Sequence, residues 1–169
     1  MKADDLRAMQ APLKDRYKEI PEAALITLRA QGRAGEDVSC KIETGKGLVV
    51  AGLHPATGGT GQQACSGDML LEALVACAGV TLNAVAASLG IVLREAVLTA
   101  EGDLDFRGTL GVSKEVPVGF QNIRLHLFLD TDTSEEQLAT LVRLTERYCV
   151  VYQTLKNPPP ISVSKSGAS

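Results

Sequence analysis

The chain has 169 residues, 45% of them hydrophobic, a formal net charge of -3, three Phe, three Tyr and no Trp. That length suits one domain, with or without an N-terminal arm, and the core has to rest on Val, Leu, Ile and Ala. A slightly acidic balance without a basic patch argues against nucleic acid and against an anionic membrane surface as main partners.

Asp4 and Asp5 stand where a leader peptide would be apolar, so a cytoplasmic setting is expected. There, Cys40, Cys65, Cys77 and Cys149 are expected to be free, catalytic or metal-bound rather than structural disulfides.

Residues 1–21 are read as an N-terminal arm and 22–169 as a single domain. In the arm, Leu6 and Met9 share the apolar side of a short helix that Pro12 should end, and Pro21 closes the charged stretch from Lys14 to Glu19. Ala23 to Ala30 alternates as a strand, Gly32-Arg33-Ala34-Gly35 has turn composition, and Val38 to Ile42 and Leu48 to Ala51 predict two more short strands. His54 to Gln63 (HPATGGTGQQ) is a glycine-rich loop without the lysine of a phosphate loop.

The stretch Ser66 to Gly90 predicts a long helix, with Ser66 as N-cap, Asp68 and Glu72 in its first turns, and Gly90 as its stop. No formal charge occurs from Ala73 to Leu93, which predicts burial on all sides. The charge-free helical part, Ala73 to Leu89, spans roughly 25 Å against about 30 Å of hydrocarbon, so a core helix is expected rather than a membrane span.

After it, Val92 to Glu101 predicts a strand and Gly102 to Gly111 a loop. Phe120 to Asp130 predicts a second strand, with Ile123, Leu125, Leu127 and Leu129 on one face and Arg124 and His126 on the other. Ser134 and Gln137 fit a capping box for a last helix, whose stripe of Leu138, Leu141, Val142 and Thr145 includes Cys149. Asn157-Pro158-Pro159-Pro160 must break that helix, and Ile161-Ser162-Val163 predicts a final strand. The order β-β-β, α, β-β, α, β is that of an α+β domain.

Cys77 and Cys149 thus fall on the inward faces of two helices. On pattern alone each is first of all a small core hydrophobe. The cysteines are scattered, without C-x-x-C or H-x-x-x-H, so no metal site is expected.

The string LEALVACAGVTL (Leu71 to Leu82), with HPATGGTG (His54 to Gly61) before it and ERYCVVYQTL (Glu146 to Leu155) about seventy residues later, resembles the OsmC/Ohr family of osmotically inducible and organic hydroperoxide resistance proteins. The resemblance covers about residues 23 to 164. It implies antiparallel sheets wrapped around long central helices in an intertwined homodimer, and a cysteine-based peroxidase that needs no cofactor beyond an external dithiol or lipoyl-type reductant. On this resemblance Cys77 is the attacking thiol, forming a sulfenic acid with an organic hydroperoxide, and Cys149 resolves it to a disulfide. Arg33 is the first candidate for the cation that the family places beside its thiolate, with Arg29 and Arg147 as alternatives; Asp68 is the candidate acid.

The chain departs from the family at Gly67, where Ohr-type members carry a glutamate, and at Val150, where a proline commonly follows the second cysteine. The alternative is therefore kept of a non-catalytic dimer binding a small apolar or thiol-reactive ligand. Cys65 is read as a bystander, His54 as ordering its turn, and His126 as a surface residue.

Overall fold

The computed structural model describes the backbone of residues 3–34, 40–42 and 51–165, and the side chains of residues 8–27 and 51–165. The elements run α1 (Ala3–Glu19), β1 (Leu25–Ala34), β2 (Cys40–Ile42), α2 (Ser66–Leu89), β3 (Glu95–Asp105), α3 (Phe106–Thr109), β4 (Asn122–Asp130), α4 (Glu135–Tyr148) and α5 (Val150–Lys156). The four strands form one antiparallel sheet in the order β2-β1-β3-β4, the α+β arrangement that the element order predicts.

Ala96, Leu98 and Ala100 are the buried positions of alternating β3, and they join Leu71, Leu74, Val75, Ala78 and Leu82 of α2 in one core. Ile123, Leu125, Leu127 and Leu129 of β4 pack on the same core, on the face their alternation predicts. On the other face Arg124 donates to Asp103 at 2.9 Å and to Glu101 at 3.3 Å, and Thr27 donates to Asp103 at 2.7 Å, tying β1, β3 and β4 together.

A second cluster of Tyr17, Ala24, Phe106 and Leu110 holds α1 in place, and the Tyr17 hydroxyl donates to the Ala56 carbonyl at 2.7 Å. This anchoring explains why α1 runs through Pro12 instead of ending there. Pro12 and Ala8 are exposed, so the Ala8 carbonyl that loses its donor faces water.

Several element ends differ from expectation. β1 continues to Ala34, because Gly32 and Arg33 pair with Leu98 and Val97 of β3 on one side and with Ile42 and Lys41 of β2 on the other; Arg33 is in a strand rather than a turn. Val38 and residues 48–50 lie outside the described residues, and Ala51 forms an isolated parallel bridge to Ala64. β3 starts at Glu95 and continues through Gly102 to Asp105, where a loop was expected. A Cβ on Gly102 would come within 2.4 Å of the Phe120 ring, so this glycine serves close packing rather than a turn. Ile161 and Val163 are 88% and 94% exposed, and no strand forms there; among the described residues nothing pairs with them.

The N-cap of α2 is Cys65, with Ser66 as the first helical residue; Gly90 ends the helix in the left-handed conformation at φ 68°. α2 is long and apolar enough to cross a membrane by length and composition alone, and one of its faces is buried in the core. Burial is not all round. Met69, Ala73, Val80, Ala84 and Ala87 are exposed, and at 100° per residue they fall within about 60° of one another, nearly opposite the buried face.

Leu141 of α4 is fully buried in the main core. Leu141→Ala should cost about 2–5 kcal/mol in a urea denaturation. A loss below about 1 kcal/mol would show that α4 is not part of the cooperative core.

Candidate active site

Cys77 sits where the two faces of α2 meet. On an ideal helix it lies about 60° from buried Leu74 and about 20° from exposed Ala84, and it is half-buried in the structure. A thiol at such a border is held by the core on one side and reachable from the other.

The second thiol arrives through a break that no proline or glycine marks. Thr145 turns its hydroxyl back onto the Leu141 carbonyl at 2.8 Å, a bond that tends to bend helices. Four residues later Cys149 leaves helical geometry at φ -71°, ψ 109°. It ends α4 and caps α5 at once, its sulfur accepting from the Tyr152 backbone N–H at 3.4 Å. The single helix expected as far as Asn157 is therefore two helices, and the freed N–H groups at the start of α5 turn toward Cys77.

Burial disfavours the Cys77 thiolate. It is outweighed by hydrogen bonds from the Val151 N–H, the Cys149 thiol, the Val150 N–H and the Thr81 hydroxyl, which together bring Cys77 below the ordinary thiol value. Cys149, only 1% exposed, is pushed up to about 11, chiefly by burial. Cys77 is therefore the more acidic of the two, and when the pair loses one proton the other stays on Cys149, which donates to Cys77.

The other predicted residues fall elsewhere. The Arg33 and Arg29 side chains are outside the described residues. Arg147 is exposed, its guanidinium 5.5 Å from the Tyr148 ring centroid. Asp68 lies on the side of α2 opposite Cys77 and interacts with His54; burial raises the Asp68 carboxyl and lowers the His54 imidazole, and each opposes the other's shift.

His54 orders its turn, with Nδ1 accepting from the Ala56 N–H at 3.0 Å and the ring stacked 5.0 Å from Phe106. His126 is exposed on the sheet's outer face, and Cys65 is half-buried at the start of α2. Thr81 was legible as the residue one turn beyond Cys77. The backbone donors of Val150 and Val151 carry no sequence signal.

A long apolar helix that carries a thiol at its border is backed by an antiparallel sheet and met by a second thiol at a helix break, which defines an α+β protein with two of its thiols brought together. Residues 59–164 match the family described as OsmC-like protein, and the chain belongs to that family. Among solved structures it is similar to an OsmC-like hydroperoxide resistance protein from Jannaschia sp. CCS1, with TM-score 0.62 and 15% identity over 86% of this chain and 97% of that one. It is also similar to an OsmC-like protein from Mycoplasma pneumoniae, with TM-score 0.56 and 17% identity over 79% of this chain and 86% of that one. Comparison with curated proteins gives no match.

Proposed function

We propose that the protein is a thiol peroxidase that reduces organic hydroperoxides to alcohols through Cys77 and Cys149. The observation that carries this reading is the pairing of a Cys77 sulfur surrounded by four hydrogen-bond donors with a protonated Cys149 in contact with it. The family includes hydroperoxide resistance proteins, and the Jannaschia relative is described as one.

The Cys77 thiolate attacks the terminal oxygen of the hydroperoxide. The O–O bond breaks, the alkoxide takes a proton and leaves as the alcohol, and Cys77 becomes a sulfenic acid. The Cys149 sulfur then displaces the sulfenic hydroxyl. An S–S bond forms, and the hydroxyl leaves as water with the Cys149 proton. An external dithiol reopens the disulfide and is itself oxidised. The donors from Val150 and Val151 act as fixed dipoles that favour the thiolate, and the apolar wall around it favours apolar peroxides. The exposed apolar stripe of α2 passes within one side-chain width of Cys77, which supports a homodimer whose second copy covers the stripe and completes the pocket.

The test is a count of free thiols before and after one equivalent of cumene hydroperoxide. Loss of two thiols per chain is expected. If none is lost, the peroxidase fails in favour of a dimer that binds an apolar or thiol-reactive ligand.

A further inference from the structure

The break between α4 and α5 interrupts the helical ladder at consecutive rungs. The Cys149 N–H still donates to the Thr145 carbonyl at 2.9 Å, and the Gln153 N–H to the Cys149 carbonyl at 2.9 Å. Between them, the N–H groups of Val150 and Val151 donate to the Cys77 sulfur and that of Tyr152 to the Cys149 sulfur. In an unbroken helix these N–H groups serve the carbonyls four residues back, those of Glu146, Arg147 and Tyr148. Each donor that turns to a sulfur therefore releases a carbonyl, which needs another partner.

Arg147 and Tyr148 are exposed, so water can serve theirs. Glu146 is half-buried, and its carbonyl takes a side chain instead: Gln153 Nε2 donates to it at 2.8 Å. That contact depends on the break. In a straight helix residue 153 stands about 10.5 Å along the axis from residue 146, at 1.5 Å per residue, farther than a glutamine side chain extends. The amide is oriented from its other end, where Oε1 accepts from Asn157 Nδ2 at 3.4 Å, and this leaves the donor end for Glu146. With its backbone on Cys149 and its side chain on Glu146, Gln153 clasps both sides of the break.

We propose that Gln153 is a positioning residue for Cys77: by occupying the Glu146 carbonyl it holds the break open and keeps the Val150 N–H directed at the Cys77 sulfur. Its part in the reaction rests on the peroxidase reading, whereas its effect on the thiolate needs no peroxide. The Val150 N–H has two acceptors to choose between, the Cys77 sulfur and the carbonyl it would bond in a continuous helix. A carbonyl already engaged by an amide is the weaker competitor, so the donor stays with the sulfur.

The test is the pH profile of Cys77 alkylation by iodoacetamide, resolved from the other cysteines by peptide mass spectrometry. Gln153→Met keeps the length and neutrality of the side chain and removes its donor. It should slow alkylation at pH 7 about threefold or more by moving the midpoint up, with the plateau at high pH unchanged. Among the described residues the titratable group bonded to Cys77 is Cys149, which the variant retains. A second background makes the readout specific. Val150→Pro has no N–H for Gln153 to direct, so adding Gln153→Met to it should change the rate less than about 1.5-fold. An unmoved midpoint in the single variant overturns the proposal. So does an equal shift in both backgrounds, which a merely structural role would give, or a lower plateau at an unchanged midpoint. Should Gln153→Met fail to fold, Gln153→Ala removes the same donor and carries the same comparison. Failure of cumene hydroperoxide to consume thiols, with the midpoint still shifted, removes the peroxidase reading and leaves this result intact.

Discussion

Cys77→Ser should remove consumption of cumene hydroperoxide by a factor of about 10³ or more, down to the rate of the uncatalysed reaction. A hydroxyl at that position keeps its proton at neutral pH and has no sulfur to oxidise. Cys149→Ser should behave differently. Its Cys77 thiolate still attacks, so one equivalent of peroxide is consumed, after which the sulfenic acid accumulates and can be trapped with dimedone. Peroxide consumption by ferrous–xylenol orange, followed over the first and later turnovers, separates the two variants. Should Cys77→Ser keep more than about a tenth of the activity, another thiol is the nucleophile, and half-buried Cys65 is the next to examine.

Val150→Pro should slow alkylation of Cys77 by iodoacetamide at pH 7 about tenfold. The substitution deletes one N–H donor to the thiolate, and a hydrogen bond to a charged group contributes about 1.5–3 kcal/mol. Proline suits the position otherwise. Val150 is the first residue of α5, where proline is favoured, and Cys149 already has the extended geometry that a following proline requires. Thermal stability should therefore hold, while the pH profile of Cys77 moves up.

The sign follows from which form the donor favours. Cys77 is brought below the ordinary thiol value by its donors, so its thiolate is present above that lowered value and is lost as pH falls through it. Removing a donor raises the midpoint. The difference between wild type and variant should be largest between the two midpoints and vanish well above the ordinary thiol value, where Cys77 is ionised in both. Cys149, buried and pushed up to about 11, stays silent across this range, and peptide mass spectrometry distinguishes Cys65. An unchanged profile would mean that the backbone at the start of α5 does not support the thiolate.

Much of the fold was legible because local chemistry and tertiary demand agree. The alternation of Ile123, Leu125, Leu127 and Leu129 matches the face that β4 buries, and Ser134 caps α4 by accepting from the Gln137 N–H at 3.3 Å. Where the sequence misled, a local signal was overridden from a distance. Gly102 has the composition of a turn, yet it is flat strand because the Phe120 ring needs the space. Pro12 signals a helix end, yet α1 passes through it because Met9, Leu13 and Tyr17 are held by other parts of the chain.

The position of Cys77 on a long uncharged helix, and the presence of a second thiol on the stripe of a later one, are fixed by residue type and spacing. These are local properties, and they survive any error about what lies next to the helix. Tertiary structure alone decided that α2 keeps one apolar face uncovered within the chain, that the last helix breaks at Cys149, and that the donors for Cys77 are backbone N–H groups of Val150 and Val151. Every residue but proline has a backbone N–H, so its presence in the sequence carries no information; only the fold decides which ones are left unpaired and where they point.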